Sequence, residues 1–281
     1  MSLSAFSCLS ADRRTATRAV PTFSNGLGYG ENMSNISSVF KKNNKALIVF
    51  IMAGDPSLAK TEQLVYQIEK AGADIIELGI PFSDSIADGV TIQGAATRAL
   101  NKGTTAADAI KLVKKIRKRS SIPLIFMTSF NILMSYGLNK FVKDSASAGI
   151  DGLIIPDLPI DEADSIKKNG LDLIFLVSPN SSDEHIKMIT KKSSGFIYAV
   201  SIAGITGARK DLHLQVKTAV QKVKKLTKTP VAIGFGISNP KQAKEASKLA
   251  DGIIVGSAVI DVIAKKKNVG RFVANLKKAI G

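Results

Sequence analysis

The chain has 281 residues, of which 45% are hydrophobic, so it can bury a large core as one or two domains. Its single cysteine, Cys8, excludes intrachain disulfide bonds and a cysteine metal site. The formal net charge of +16 favours anionic partners such as phosphate esters. No aromatic residues interleave with the densest basic run, 114–119, which favours a solvated lysine-rich exterior over nucleic-acid binding. No apolar run approaches the roughly 18 residues of a membrane span, so we expect a soluble protein.

Residues 1–32 form a segment rich in Ser, Thr, Arg and Gly without a sustained hydrophobic period. Its arginines and its few acids resemble a transit peptide, which would place the protein in a plastid. Alternatively, Met33 is a natural start that leads into a short helix, and the codons for Gly30-Glu31-Asn32 can resemble a bacterial ribosome-binding site. We therefore predict a disordered extension or a mis-called start over 1–32, one domain over 33–281, and a cytoplasmic location.

From Ala46 onward, short apolar runs alternate with amphipathic stretches. The eight runs that we predict to be strands are 47–52, 75–80, 123–127, 152–155, 173–177, 196–201, 231–234 and 252–255. Helical patterns between them include 60–69, 106–118, 138–148 and 240–249. Eight strands that are each followed by a helix predict an α/β fold, a single-domain (β/α)₈ TIM barrel. A doubly wound open sheet is the alternative fold.

Three predicted helix-to-strand junctions repeat one pattern, in which small residues are followed by an aspartate and an apolar run. The junctions are Ala71-Gly72-Ala73-Asp74, Ala148-Gly149-Ile150-Asp151 and Leu249-Ala250-Asp251. Small residues suit a tight turn at a helix C-terminus, where glycine supplies the left-handed cap. The repeat therefore favours the closed barrel.

The most informative stretch is 74–94, because its apolar run 75–80 contains one carboxylate, Glu77. Such an apolar run is typical of a buried parallel strand. Burial removes the hydration of a carboxylate, so we expect one there only if it is paired, protonated or catalytic. Parallel α/β folds place catalytic groups at the carboxyl ends of strands, so we interpret Glu77 as catalytic rather than structural.

The segment after this strand carries a second acid, Asp88, on a loop that begins at Pro81. A helical pattern starts at Thr91, which is a plausible N-cap. An acid on the loop after a barrel strand fits a catalytic role, but Asp-Gly at 88–89 is also an ordinary turn. Both interpretations of Asp88 remain open from the residues alone.

Glycine-rich loops follow three of the late predicted strands. They read Ala-Gly-Ile-Thr-Gly at 203–207, Gly-Phe-Gly at 234–236 and Gly-Ser at 256–257. Glycines allow backbone N–H groups to approach a ligand closely, and the N-terminus of the helix after 256–257 attracts anions. Barrels bind phosphate at the loops after strands seven and eight. Each loop alone is a common turn, but the three together predict a phosphate site.

Several segments, in order along the chain, resemble the tryptophan synthase α-subunit family. The most specific stretch reads Glu-Leu-Gly-Ile-Pro-Phe-Ser-Asp at 77–84, Ala-Asp-Gly at 87–89 and Thr-Ile-Gln at 91–93. Further matches are Ala-Gly-Asp-Pro-Ser at 53–57, Ile-Pro-Asp-Leu-Pro at 155–159, Gly-Ile-Thr-Gly-Ala-Arg at 204–209, Gly-Phe-Gly-Ile-Ser at 234–238 and Gly-Ser-Ala at 256–258. The resemblance implies a (β/α)₈ lyase that splits indole-3-glycerol phosphate into indole and glyceraldehyde 3-phosphate.

The resemblance also implies a role for each candidate site residue. Glu77 would be the acid/base that places a proton on indole C3 and removes another from the side-chain hydroxyl. Asp88 would hydrogen-bond the indole N–H, and Tyr198 would orient Glu77 or the substrate. Phe50 fits part of the indole wall or an ordinary core aromatic equally well. The implied phosphate-binding residues are Gly207, Gly236, Gly256 and Ser257.

The resemblance implies no metal or organic cofactor in this chain. It also implies a β subunit that contains pyridoxal phosphate as the partner, in an α₂β₂ heterotetramer.

Four positions depart from the family pattern: Ser85 and Val90 replace prolines, Ser129 replaces a tyrosine, and Ile202 replaces an arginine that is often present. The loss of proline raises the entropy cost of ordering the loop around Asp88. The alternative function is therefore a weakly active barrel that mainly activates the β subunit. Another phosphate-binding barrel, such as a sugar-phosphate isomerase, should lack the 77–84 segment.

Overall fold

The computed structural model describes residues 35–40, 45–84, 88–167, 169–200, 209–234 and 236–281, without the side chains of 165, 167 and 209–215. Contacts group the chain into Met1–Asn32 and Met33–Gly281, and every described residue belongs to the second unit. The predicted extension over 1–32 lies outside the described residues, so the domain boundary stays a prediction.

Nine parallel strands are present within the described ranges. They are Ala46–Met52 (β1), Ile75–Gly79 (β2), Leu124–Met127 (β3), Gly152–Ile154 (β4), Asp172–Ile174 (β5), Leu176–Val177 (β6), Ile197–Val200 (β7), Val231–Gly234 (β8) and Gly252–Val255 (β9). The sheet order β5-β4-β3-β2-β1-β9-β8-β7-β6 ends on two strands that Phe175 alone separates in sequence. These two short strands are the halves of the predicted strand 173–177. The structure therefore confirms a nearly closed eight-stranded barrel, and the open-sheet alternative is wrong.

Helices follow the strands along the chain, and the first helix precedes β1. They are Asn35–Phe40 (α1), Leu58–Lys70 (α2), Val90–Leu100 (α3), Ala106–Ile116 (α4), Phe130–Tyr136 (α5), Leu138–Ala148 (α6), Ala163–Lys167 (α7), Asp183–Lys192 (α8), Arg209–Leu226 (α9), Pro240–Ser247 (α10), Ser257–Ala264 (α11) and Val269–Ile280 (α12), with a 3₁₀ turn at Ile160–Glu162. Polar N-caps begin several of them, and Thr105 with Asp108 forms a capping box on α4. Among these helices, none combines the length and hydropathy that crossing a bilayer requires.

One end of the barrel interior is filled by apolar side chains from successive strands. These side chains are almost completely buried. They are Ile48, Ile75, Ile125, Ile154, Ile174, Phe196, Ala232 and Ile254. Ile36 of the short helix α1 packs beneath this layer, at the amino ends of the strands. A Cβ atom on Gly152 would lie 2.8 Å from Ile36 Cδ1, so glycine at this strand start makes room for α1. The filled amino end leaves the carboxyl end of the barrel for the site.

The repeated aspartates, Asp74, Asp151 and Asp251, each join two neighbouring strands at the amino end of the barrel. The backbone N–H of each aspartate donates to a carbonyl of the preceding strand, and its Oδ2 accepts the N–H of that same strand residue. A cation then contacts each carboxylate at 2.7 Å, and the three cations are Lys277, Arg117 and Lys224. The repeated pattern in the sequence therefore encodes strand-joining hydrogen bonds. Arg117, from the basic run 114–119, forms a structural ion pair with Asp151 and is not simply a solvated surface charge.

We expect Asp151→Ala to destabilise the barrel more than Asp251→Ala. The Arg117 side chain is 20% exposed and donates to three further backbone carbonyls, whereas Lys224 is 42% exposed. Both changes leave a strand N–H without its acceptor, but Asp151→Ala also leaves a partly buried guanidinium without its counter-charge. The expected losses are about 3 and about 1 kcal/mol of unfolding free energy. Urea unfolding followed by circular dichroism measures both, and equal losses would contradict the role given to Arg117.

The start of α3 differs from the prediction. Thr91 is not the N-cap; the helix begins at Val90, and Gly89 is its N-cap. Gly89 has the extended backbone that a cap needs (φ −75°, ψ 166°), and its carbonyl accepts the N–H groups of Ile92 and Gln93 at 3.0 Å. The prediction failed because it looked for a capping side chain, and this helix begins without one. The other predicted boundaries that we quote lie within about two residues of the observed ones.

Candidate active site

Glu77 occupies the middle of β2, and only 1% of its surface is exposed. Its Oε2 atom has no hydrogen-bond partner among the described residues. Burial disfavours the charged form and, together with the negative charge of Asp88, raises the pKa of Glu77 to about 8. The structure thus places Glu77 in a buried strand, as the sequence predicts. A carboxyl group that keeps its proton near neutral pH can act as a general acid.

Phe50 lies on β1 directly beside Glu77, in the register that pairs these two residues across neighbouring strands. Its ring is 3% exposed and fills the space above Gly79 of β2. A Cβ atom on Gly79 would come within 2.7 Å of Phe50 Cζ, so the glycine two residues after Glu77 is required by this ring. Phe50 also belongs to the main apolar core, and its role as an indole wall remains a prediction.

Tyr198 of β7 faces the same end of the barrel and is partly buried. Burial, followed by the charges of Glu77 and Asp88, raises its pKa well above the ordinary value for tyrosine. A Cβ atom on Gly234 of β8 would lie 2.5 Å from Tyr198 Oη. Gly234 begins the predicted phosphate loop 234–236, and in the structure it also makes room for the Tyr198 ring.

Asp88 immediately precedes the N-cap of α3, and its charge acts on both Glu77 and Tyr198. The Gln93 side-chain amide donates to the Asp88 carbonyl at 2.9 Å, which ties this residue to the first turns of α3. Asp88 therefore belongs to an ordered helix start near the buried acid. The structure brings Glu77, Asp88, Tyr198 and Phe50 near one another, and their catalytic and binding roles stay predictions.

Three of the four predicted phosphate-binding residues, Gly236, Gly256 and Ser257, follow β8 and β9, which are paired neighbouring strands. Gly236 has φ +51°, a backbone conformation that favours glycine. Gly256 is the N-cap of α11, and Ser257 is its exposed first residue, so backbone N–H groups at this helix start are available to an anion. Gly207 lies outside the described residues. Phosphate binding by all four residues stays a prediction.

A cavity of about 350 Å³ lies at the opposite, amino end of the barrel. It is lined by α1, the start of β1 and the junctions before β2 and β3, including Lys45 and Asp74. Both of these charged groups already have partners at the strand junctions, since the Lys45 ammonium donates to the Ala250 carbonyl and the Asp74 carboxylate accepts from Lys277. This cavity is therefore not where the acids of the candidate site meet. Within the described ranges, no three His, Cys, Asp or Glu side chains gather as metal ligands would.

The family model described as tryptophan synthase alpha chain matches residues 36–280. The chain belongs to the tryptophan synthase alpha chain family. A tryptophan synthase alpha chain from Thermoanaerobacter sp. (strain X514) is 49% identical over 250 residues, which cover 85% of this chain and 95% of the relative. That of Geotalea uraniireducens (strain Rf4) is 45% identical over 266 residues, covering 89% of this chain and all (100%) of the relative.

Solved structures of the tryptophan synthase alpha chain family have the same fold. The alpha chain from Legionella pneumophila subsp. pneumophila matches with a TM-score of 0.80 and 34% identity, over 88% of this chain and 97% of that chain. A chain in the aminoacrylate-bound tryptophan synthase from M. tuberculosis matches with a TM-score of 0.80 and 31% identity, over 88% and 100% of the two chains. The resemblance to this family that the residues carry is therefore confirmed.

Two residues near the site, Gly79 and Ile92, were not predicted from the sequence as parts of it, and Gly234 was predicted only as part of a phosphate loop. Gly79 and Gly234 admit the rings of Phe50 and Tyr198, and Ile92 of α3 lies beside Phe50, where its Cδ1 is 3.6 Å from the position of a Cβ on Gly256. Gly79 is two residues from Glu77 and therefore lies on the same face of the strand. This spacing could have predicted that Gly79 belongs to the site. Ile92 gave no such signal, because its approach depends on how α3 packs.

Two of the four departures from the family pattern are described in the structure. Val90 is 86% exposed at the first position of α3. Ser129 is the N-cap of α5, and its hydroxyl donates to Asp157 at 2.8 Å, which links the loops after β3 and β4. Ser85 and Ile202 lie outside the described residues.

Proposed function

We propose that this chain catalyses the α reaction of tryptophan biosynthesis, the retro-aldol cleavage of indole-3-glycerol phosphate to indole and glyceraldehyde 3-phosphate. The observation that carries the proposal is Glu77, a buried carboxyl with an unpartnered Oε2 among the described residues and a pKa of about 8, inside the most specific family segment. Burying an acid of this kind costs stability, so its presence in the barrel points to a function. The chain is a carbon–carbon lyase of the tryptophan synthase alpha chain family.

The proton balance of the reaction suits a single acid/base group. Cleavage breaks the bond between indole C3 and the side-chain carbon, so C3 gains a proton while the side-chain hydroxyl loses one to become the aldehyde. The net proton change is zero. Glu77 can donate its proton to C3 and accept the hydroxyl proton, which returns the carboxyl to its starting state. No other proton donor or acceptor is needed at the reacting carbons.

Asp88 and Tyr198 complete the proposed chemistry. Protonation at C3 places positive charge on the indole nitrogen, and the Asp88 carboxylate stabilises that charge by accepting a hydrogen bond from the N–H. Tyr198, whose raised pKa keeps the phenol neutral, orients Glu77 or the substrate. Phe50 forms part of the indole wall, and Gly207, Gly236, Gly256 and Ser257 hold the phosphate.

We further propose that a β subunit containing pyridoxal phosphate is the partner of this chain and consumes the indole, in an α₂β₂ assembly. Family membership supports this partner, and the α reaction itself uses only side chains and backbone groups of this chain. The alternative role, a weakly active barrel that mainly activates the β subunit, has less support. Glu77 and Asp88, the two acids that the cleavage would use, are both present.

The test is an assay of the purified full chain with indole-3-glycerol phosphate, alone and with a β subunit. We expect indole and glyceraldehyde 3-phosphate in equal amounts, measured by indole fluorescence and by a dehydrogenase-coupled reaction. Activation of the β subunit without any cleavage of the substrate would instead support the alternative role.

Gly234→Ala should lower kcat for indole release about tenfold with a smaller change in KM. The new Cβ atom would lie 2.5 Å from Tyr198 Oη, so the ring must move away from its position near Glu77. Gly270→Ala in α12 is the matched control, because its Cβ would meet nothing closer than 3.5 Å. Steady-state kinetics measures kcat and KM separately. If Gly234→Ala has the same kcat as the control, the position of the Tyr198 ring does not affect the reaction rate.

A chain that begins at Met33 should be as stable and as active as the full chain. The family match begins at residue 36, and the described barrel begins with α1 at Asn35. Thermal unfolding and indole release of the two chains measure the comparison. A lower melting temperature without residues 1–32 would show that the first 32 residues stabilise the barrel.

A further inference from the structure

The loop after β1 is held against α3 by an ion pair that the proposed chemistry does not use. Asp55 on this loop is 2% exposed. Its two carboxylate oxygens each accept a hydrogen bond of 2.8 Å from Nε and Nη2 of Arg98, near the end of α3. An arginine that forms two parallel bonds to one carboxylate fixes the relative orientation of the two groups as well as their distance.

Two more side chains, just beyond the same end of α3, hold the loop after β1. The Lys102 ammonium donates to the Pro56 carbonyl. Thr104 packs against Gly54, where a Cβ atom would lie 2.2 Å from Thr104 Oγ1. Gly54 has φ +87°, so this close approach uses the backbone freedom of glycine. Three side chains at or just beyond one helix end therefore contact three consecutive loop residues.

The other end of α3 reaches the candidate active site. Asp88 precedes its N-cap, and the Gln93 amide binds the Asp88 carbonyl, so Asp88 moves with the helix. Ile92, in the first turn, lies beside Phe50 and Gly256. A shift of α3 along or around its axis would displace Asp88 and Ile92 together, because a helix moves as a rigid unit over this length.

The chain connection alone does not fix the distance between Asp88 and Glu77. Ten residues, 78–87, separate the two acids, and a segment of that length can span up to about 35 Å. The packing of α3 must therefore supply the alignment. The bidentate contact of Arg98 with a buried carboxylate is the most direct polar anchor of α3 to the barrel among the described residues.

We propose that Asp55 and Arg98 are positioning residues for the cleavage reaction, which anchor α3 so that Asp88 is held at a productive distance from Glu77. This inference rests on the proposed function, because the distance matters only if the two acids act on one substrate. Neither residue touches the substrate; both act through α3.

Three variants of the full chain test the proposal. Arg98→Met removes the guanidinium but keeps much of the apolar stem, and Arg98→Lys keeps the charge without the bidentate geometry. Arg117→Met is the matched control, since it removes an arginine–aspartate contact of 2.7 Å at the amino end of the barrel. We expect Arg98→Met to lower kcat about tenfold to a hundredfold with little change in KM, because the phosphate loops stay in place. Arg98→Lys should fall between Arg98→Met and wild type, and Arg117→Met should keep the wild-type kcat per folded molecule.

The pH dependence of kcat/KM separates positioning from a general loss of stability. Among the described residues, the titratable groups that act on Glu77 or are acted on by it are Asp88, at the start of α3, and Tyr198, on β7. If α3 shifts and Asp88 moves away, the pKa of Glu77 falls towards its ordinary value, so the midpoint for Glu77 should move to lower pH in Arg98→Met. Arg117→Met should leave that midpoint unchanged.

If the wild type is active but Arg98→Met and Arg117→Met have equal kcat and equal pH midpoints, this inference is wrong and the proposed function stands. A wild-type chain that releases no indole overturns the proposed function and this inference with it. If Arg98→Met does not fold, Arg98→Lys decides the question in the same assay. An Arg98→Lys enzyme with wild-type kcat and midpoint overturns the proposal, and a lowered kcat with a shifted midpoint supports it.

Discussion

Glu77→Gln should abolish indole release and leave the barrel folded. The amide has nearly the size of the carboxyl but can neither donate the proton to indole C3 nor accept one from the hydroxyl. General acid–base catalysis contributes about 10²–10⁴-fold, and Glu77 serves both proton transfers, so the loss in kcat should be at least of this size. Glu245→Gln makes the same change on the exposed helix α10 and should keep full activity. Near-normal turnover by Glu77→Gln would remove Glu77 from the mechanism.

The same substitution should stabilise the fold, and by an amount that depends on pH. The native state keeps the Glu77 proton up to a pKa of about 8, whereas the unfolded state releases it near the ordinary value of 4.5. Between these values the unfolded state binds fewer protons, so this carboxyl lowers the stability of the wild type as pH rises. Melting temperatures of Glu77→Gln and wild type should therefore differ least near pH 4 and most above pH 8. A difference that stays constant with pH would contradict the raised pKa.

Asp88→Asn should reduce kcat for indole release about a hundredfold or more. Asparagine keeps the shape but removes the negative charge that stabilises the indole nitrogen during protonation. The loss of that charge should also lower the pKa of Glu77, because Asp88 is one of the two causes of its elevation. Steady-state kinetics across pH measures both effects in one series.

The control for Asp88→Asn is Asp84→Asn, which makes the same change on the same loop at an exposed residue whose carboxylate accepts a bond from Ser83. In the isolated chain, Asp84→Asn should keep the wild-type kcat and the wild-type pH midpoint. If both variants behave like the wild type, Asp88 is an ordinary turn residue. That was the second interpretation of Asp-Gly from the sequence.

The barrel could be predicted from the sequence because its signals are local and repeated. Apolar runs such as 231–234 and 252–255 coincide with β8 and β9, and the aspartate repeat marks three helix-to-strand junctions. The division of 173–177 into β5 and β6 could not be predicted, since it depends on where hydrogen bonding to the neighbouring strands stops. The start of α3 was misplaced for a related reason: Gly89 caps it with backbone geometry alone.

The acids of the site could be predicted, but the packing that arranges them could not. Glu77 stands out because a charged residue interrupts an apolar run, whatever surrounds it. The space that Gly79 and Gly234 leave for two rings depends on the register and twist of neighbouring strands. The anchor between Asp55 and Arg98 joins residues 43 positions apart, and the matched segment 53–57 around Asp55 does not indicate Arg98 as its partner. Contacts of this kind are visible only once the barrel is closed.

In the proposed mechanism, Glu77 enters the reaction as a protonated, buried acid. Infrared difference titration, with Glu77→Gln subtracted from the wild type, reports the ionisation of this single carboxyl directly. We expect a carboxylic acid signal that persists at neutral pH and disappears with a midpoint near pH 8, moving lower in Asp88→Asn. A carboxyl that ionises near its ordinary pKa of 4.5 would contradict the mechanism, because Glu77 would then have no proton to give to indole C3.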